Sequence, residues 1–197
     1  MLNLKSSDRV FITGMTGSGK TYFIKKVLML QYKRFILYDY KGEYGDVKAR
    51  HVSSIEDLSA AIKAGYCKIV FNPYYVNDAV FNELCLIVFR LGNMALIVDE
   101  LGSHAEPHKI LENHSLLLRQ GRGRGVGLIN GTQRPNDTHN NVLSEAEHYF
   151  IFFLTLPSDK RKIEGIVGQP LGWGSLKEFE YFYCCPKRRL VQKMGCC

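Results

Sequence analysis

The sequence predicts a three-layer α/β domain on a mainly parallel central sheet, and three observations lead there. Short apolar runs alternate with amphipathic stretches along the chain, the pattern of βαβ units. The first run, Arg9–Thr13, leads into a glycine-rich turn and then a helical stretch. A later one, Met94–Val98, breaks off in two acids, Asp99 and Glu100, where a parallel strand meets a ligand crevice.

The elements follow in order. Arg9–Thr13 is a strand and Thr21–Gln31 the helix after it. Phe35–Asp39 is a second strand, ending in the turn-rich stretch KGEYGD. Ser54–Ala64 opens with a capping serine and carries Ile55, Leu58, Ala61 and Ile62 at helical spacing. Cys67–Phe71 is a strand stopped by Asn72–Pro73, Asp78–Leu91 an apolar helix, and Ala95–Val98 the strand that carries the acids. Glu106–Gln120 reads as a helix, the glycine-dense GRGRGVG as a flexible basic loop, and Val126–Asn130 as a fifth strand. Tyr149–Leu154 is a sixth strand and Ser158–Val167 a helix; Phe179–Cys185, with a return over Arg189–Gln192, forms a C-terminal β-hairpin region.

Composition narrows the field. The chain has 197 residues, 46% hydrophobic and 23% charged, which suits one globular domain over residues 1–197 and excludes disordered and fibrous classes. No apolar run approaches the roughly 20 residues of a membrane span, and the N-terminus has no signal core. The expected setting is therefore reducing and soluble. Its six cysteines are read as structural or incidental, with the pairs Cys184–Cys185 and Cys196–Cys197 lacking zinc-knuckle spacing. A net charge of +7 is compatible with a polyanionic partner and proves none.

Gly14-Met-Thr-Gly-Ser-Gly-Lys20-Thr21 fits G-x-x-x-x-G-K-[ST] in full, between a strand and a helix. Glycines let the backbone curl so that successive N–H groups face an anion, and the helix start adds its positive dipole end. Gly14, Thr16, Gly17, Ser18, Gly19, Lys20 and Thr21 are thus the candidate nucleotide-binding set. Lys20 can reach the β- and γ-phosphates of ATP, and the Thr21 hydroxyl can join a Mg²⁺ shell. Asp99 can hold the metal, and Glu100 can act as general base on an attacking water.

Arg119, Arg122 and Arg124, separated by glycines, suit an arginine finger offered to a neighbouring subunit or contacts to a phosphodiester backbone. Gln133, past the next strand, could sense the γ-phosphate or orient water.

Together, GMTGSGKT, YDYKGEYGD, IVDE and LLLRQGRGRGVGLINGTQRPND resemble the FtsK–HerA superfamily of hexameric DNA-pumping ATPases, over roughly residues 9–140. In its brevity the chain is most similar to the genome-packaging ATPases of tailless icosahedral double-stranded DNA viruses with internal membranes. The resemblance implies a RecA/ASCE-like P-loop fold and an Mg-dependent ATPase that drives duplex DNA into a preformed capsid. It also implies a homo-oligomer, a hexameric ring, working in the host cytoplasm or at a packaging vertex beside capsid proteins. Lys20 and Thr21 would bind ATP and Mg²⁺, Asp99 would be the metal-side acid, Glu100 the catalytic base, Gln133 the polar sensor and Arg122 the arginine finger.

Alternatives stay open at this level: a plasmid or mobile-element translocase, a monomeric nucleotide-binding module or small-molecule kinase, and a non-enzymatic DNA-binding scaffold. His104, His108 and His114 are read as locally bonded or exposed, and Asp39, Lys41 and Glu43 as a polar turn or a subunit contact. Two basic clusters, Lys160–Lys162 and Lys187–Arg189, are not assigned to DNA.

Overall fold

The alternation of the apolar runs puts successive side chains on opposite sheet faces, and both faces are buried. In β1 (Arg9–Thr13), Phe11 packs on one side and Val10 and Ile12 on the other; β5 (Ala95–Val98) splits the same way, Leu96 and Val98 against Ala95 and Ile97. Strands buried on both faces read as continuous apolar runs, which is why the parallel core was legible.

The computed structural model describes residues 4–195. They contain a nine-stranded sheet in the order β11-β10-β9-β1-β8-β5-β2-β4-β3. Besides β1 and β5 its members are β2 (Phe35–Tyr38), β3 (Arg50–Val52), β4 (Lys68–Phe71), β8 (Gly127–Thr132), β9 (His148–Ile151), β10 (Glu180–Cys185) and β11 (Leu190–Gly195). All pairings from β9 through β3 are parallel, whereas β10 and β11 run antiparallel at one edge. The C-terminal hairpin thus completes the sheet.

The two outer layers are unequal. One face is covered by the helical segment after β1, where α1 (Lys20–Phe23) continues as a π-helical stretch, Ile24–Leu28, and a 3₁₀ turn, Met29–Gln31. It buries Phe23, Ile24, Leu28 and Met29 against the strands. The other face takes α2 (Ile55–Lys63), α3 (Asp78–Leu91), α4 (Glu112–Gln120), α5 (Asn140–Ser144) and α6 (Pro157–Val167).

Several boundaries differ from the sequence reading. The expected helix Glu106–Gln120 begins only at Glu112, because Ala105–Ile110 form a small hairpin, β6 (Ala105–Glu106) with β7 (Lys109–Ile110). Pro107 lacks a donor and pushes Glu106 toward extended backbone, which favours the turn over a first helical turn. The fifth strand runs on to Thr132. Edge strand β3 and helix α5 are too short to show a period. The arginine-glycine segment is ordered: Arg119 lies in the last turn of α4, and Gly121–Arg124 form a 3₁₀ helix. Arg9 fixes both of its ends, donating to Leu117 O and Leu118 O on one side and Val126 O on the other. Arg124 is pinned too, its guanidinium on Phe89 O and Arg90 O at the end of α3. The pair Cys196–Cys197 lies outside the described residues. Among those described, no helix is long and apolar enough to cross a membrane.

His104 and His114 belong to this frame. His104 stacks on Phe81 and lies 2.9 Å from Asp78 Oδ1 and 3.2 Å from the Tyr38 hydroxyl. His114 has no exposed surface; burial lowers its imidazole to about 4, and the charges of His104 and His139 push the same way. The unfolded ring titrates near 6.5, so between these values the folded chain binds fewer protons than the unfolded one. Stability is therefore intact above pH 6.5 and falls as the pH drops toward 4, by on the order of 3 kcal/mol. His114→Gln should flatten this slope in urea titrations at pH 7, 5.5 and 4.5; equal slopes in both proteins would contradict it.

Candidate functional site

Parallel strands deliver their C-terminal ends to one edge of the sheet, and the site is built there. β8 lies between β1, which feeds the phosphate loop, and β5, which feeds the acids. Gln133, just past β8, therefore falls between the two. Its side-chain oxygen accepts from the Thr16 hydroxyl at 2.9 Å. The approach of β8 to β5 depends on Gly131, where a Cβ would stand 2.0 Å from Asp99 O.

The loop itself has the shape that glycine permits. Gly17 and Gly19 have φ of 78° and 101°, and a Cβ on Gly14 would lie 2.5 Å from Phe152 Cβ. Lys20 is buried and folded back on the loop, donating to Gly14 O at 2.6 Å and Met15 O at 3.4 Å. Burial lowers its pKa, partly offset by Asp99 and Glu100. An ammonium held by carbonyls in a cradle of backbone N–H groups can turn to an arriving phosphate.

Asp99 is the hub of the acidic side. Its Oδ2 accepts from the Thr21 hydroxyl at 2.6 Å and from the buried Tyr44 hydroxyl at 2.8 Å. Its Oδ1 is buried with no hydrogen-bond partner among the described residues. Burial and the adjacent carboxylate push the Tyr44 hydroxyl far above its ordinary pKa, so it stays a donor. Glu100 lies 3.5 Å from the Lys41 ammonium, and Glu43 3.3 Å from the Thr21 hydroxyl.

Tyr44, Lys41 and Glu43 come from one turn. Asp39, at the end of β2, accepts from the backbone N–H of Glu43 and Tyr44, both at 2.9 Å, and so closes the turn DYKGEY over the site. The sequence reading took Asp39, Lys41 and Glu43 as a polar turn or a subunit contact and gave Tyr44 no role. The rule that picked out Asp99–Glu100, polar residues just past a buried parallel strand, applies to this turn equally.

One pocket gathers Thr16, Gly17, Gly19, Lys20, Thr21, Lys41, Asp99, Glu100 and Gln133. Of the sequence-predicted site residues, Gly14 and Ser18 belong to the loop but do not line this pocket, and Arg122 lies away from it. Arg122 precedes β8 at the opposite end of the sheet, where it pairs with Glu147. Arg119, in α4, is exposed, with no hydrogen bond or ion pair among the described residues.

Known proteins resemble the chain in sequence and in fold. Over 147 residues the chain is 28% identical to Protein P9 of Pseudoalteromonas phage PM2, and over 168 residues 27% identical to the DNA packaging ATPase P9 of Enterobacteria phage PRD1. The matches cover 71% and 81% of this chain but 65% and 70% of the two phage proteins, about two thirds of their length. In fold, the chain superposes on the genome packaging NTPase B204 of Sulfolobus turreted icosahedral virus 2, solved with ATP-gammaS, with a TM-score of 0.80, 22% identity and 98% of each chain covered. Sequence and fold agree. The chain resembles viral genome-packaging NTPases and has the P-loop NTPase fold. No family model matches it.

The buried lysine gives a testable sign. Because burial holds its pKa below 10.5, the folded chain binds fewer protons there, so charged Lys20 destabilises the ligand-free protein near neutral pH. Lys20→Met should be at least as stable as the wild type at pH 7, with its advantage shrinking as the pH rises toward 10.5. At about 100 times Kd, ATP should stabilise the wild type by about 2.7 kcal/mol and the variant not at all. Thermal melts with and without ATP check both; a less stable variant at pH 7 would contradict the burial argument.

Proposed function

We propose that the protein is an ATP-hydrolysing double-stranded DNA translocase that packages a viral genome into a preformed capsid, with residues 1–197 as one motor domain. The observation that carries this reading is the convergence of Lys20, Thr21, Asp99, Glu100 and Gln133 on one strand edge, in a chain that matches the PRD1 packaging ATPase over 81% of its length. On this reading it works as a hexameric ring in the host cytoplasm and at the packaging vertex of the virion, beside capsid proteins.

The loop of Gly14, Thr16, Gly17, Ser18 and Gly19 binds the phosphates through its N–H groups, and Lys20 leaves Gly14 O for the β- and γ-phosphates. Thr21 and Asp99 fit a Mg²⁺ ion: a hydroxyl and a carboxylate already in contact, with Asp99 Oδ1 buried and unpartnered among the described residues. When bound, that ion would neutralise charge on the phosphates. Glu100 takes the proton of the attacking water, with Lys41 setting its position, and Gln133 reports the γ-phosphate to the loop through Thr16. A cation for the next subunit's nucleotide comes from the 119–124 segment, where Arg122 is the expected finger. Arg124 already holds the end of α3, and Arg122 must exchange Glu147 for phosphate, whereas the Arg119 side chain has no bond among the described residues to give up.

ATP turnover with and without duplex DNA tests the reading. Duplex should stimulate it, and added salt should weaken that stimulation. Glu100→Gln should bind ATP and turn it over 10²–10⁴-fold more slowly. Mixing Lys20→Ala subunits with Arg122→Ala or Arg119→Ala subunits should restore turnover only for the true finger. A monomer whose turnover ignores DNA would point instead to a small-molecule kinase and overturn the proposal.

A further inference from the structure

The side of the phosphate loop away from Asp99 borders a second cleft, of about 370 Å³. Its apolar walls are Met15, Phe153, Leu176 and Phe179, beside Thr16, Gly17 and Ser18 of the loop. Phe179 lines this cleft and the phosphate pocket alike, so the two meet at its ring.

Phe179 is unusual on three counts. It is 43% exposed, so the core gains little from it. Its φ is 61°, a left-handed backbone that an aromatic residue seldom adopts. Its ring lies against the loop, near enough that a Cβ on Gly19 would be 2.8 Å from Phe179 Cδ1, and it faces the Tyr22 ring at 6.4 Å. The surrounding structure imposes the conformation. The antiparallel register of Phe182 with Ile151 brings the start of β10 to the end of β9, beside the loop, and Glu180 N–H closes a turn onto Lys177 O. Strain of this kind persists where the rest of the fold over-determines it, and it clusters at ligand clamps.

Of the polar side chains around the cleft, Ser18 Oγ is buried on the Gly14 side of the loop with no hydrogen-bond partner among the described residues, Thr16 is bonded to Gln133, and the rest pair with one another or stand at the rim. Glu180 Oε2 accepts from Lys177 N and pairs with Lys193. Lys177 and Glu178 are exposed, and no Asn, Gln or His lines the cleft. A flat heteroaromatic ring would find faces to stack on and no fixed donor–acceptor pair to read its edge.

We infer that this cleft takes the base of the nucleoside triphosphate whose phosphates occupy the loop, with Phe179 as stacking platform, and that it accepts adenine and guanine alike. The inference rests on the phosphate-loop reading and adds to it the base subsite and its selectivity.

Calorimetric titration of the full chain with ATP, GTP and inorganic tripolyphosphate tests it. Phe179→Leu keeps an apolar side chain but removes the π-face; it should weaken ATP and GTP equally, about tenfold, and leave tripolyphosphate unchanged. Phe179→Tyr should restore the wild-type values. Phe179→Gly relieves the left-handed backbone, so it should melt no lower than the wild type while losing the same affinity for ATP. Unchanged ATP binding in Phe179→Leu, a parallel loss of tripolyphosphate, or a wild-type preference for ATP over GTP beyond about tenfold would each overturn the inference. Lys20→Ala should weaken all three ligands. A wild type that binds neither ATP nor tripolyphosphate would instead refute the loop reading, and this one with it.

Discussion

The Asp99 carboxylate sits at the end of a strand buried on both faces, and its surroundings decide where the neighbouring elements can go. A buried carboxylate is tolerated only when donors replace water. Tyr44 and Thr21 supply them on Oδ2, one from the turn after β2 and the other from the first turn of α1. Three strands are thereby tied at one point. Behind Asp99, the backbone of β8 closes in at Gly131, and Leu101 N–H donates to Gly131 O at 2.8 Å. A side chain at Gly131 would force apart the two strands that carry the acids and Gln133.

The same edge holds groups whose placement costs stability in the ligand-free chain. Lys20 is buried among carbonyls, Asp99 Oδ1 lacks a partner among the described residues, and Phe179 holds a strained backbone against the loop. On the proposed reading a triphosphate would answer the first, a cation the second and the base subsite the third. Structural cores avoid such features; ligand sites retain them, because binding removes the cost. At the opposite end of the sheet the cationic segment is the reverse case. Arg9 and Arg124 satisfy helix-end carbonyls and hold the segment in place. Arg119 is exposed and has no side-chain bond among the described residues.

The sequence revealed elements whose period and boundaries come from local chemistry. β1, α3 and β5 match their expected spans because buried strands read as apolar runs and Asn77 caps α3 through its side chain. The phosphate loop and the acidic pair were legible because each is contiguous. Tyr44 was not, since its importance lies in reaching a residue 55 positions away. Phe179 was hidden for the same reason: only the pairing of β10 with β9 brings it to the loop. The β6–β7 hairpin was lost to a helical pattern in which Pro107 carried more weight than the apolar spacing around it. The arginine-glycine segment read as loose because its order comes from Arg9, over a hundred residues earlier.

The dependence of the site on Asp99 is best tested by a double-mutant cycle of Tyr44→Phe and Asp99→Asn, read from urea unfolding of the ligand-free chain. Residues sharing one buried hydrogen bond couple, and the account predicts a coupling energy of about 1 kcal/mol or more. Effects that add to within about 0.3 kcal/mol would show that the two residues act independently, and the account of Asp99 as the hub would fail.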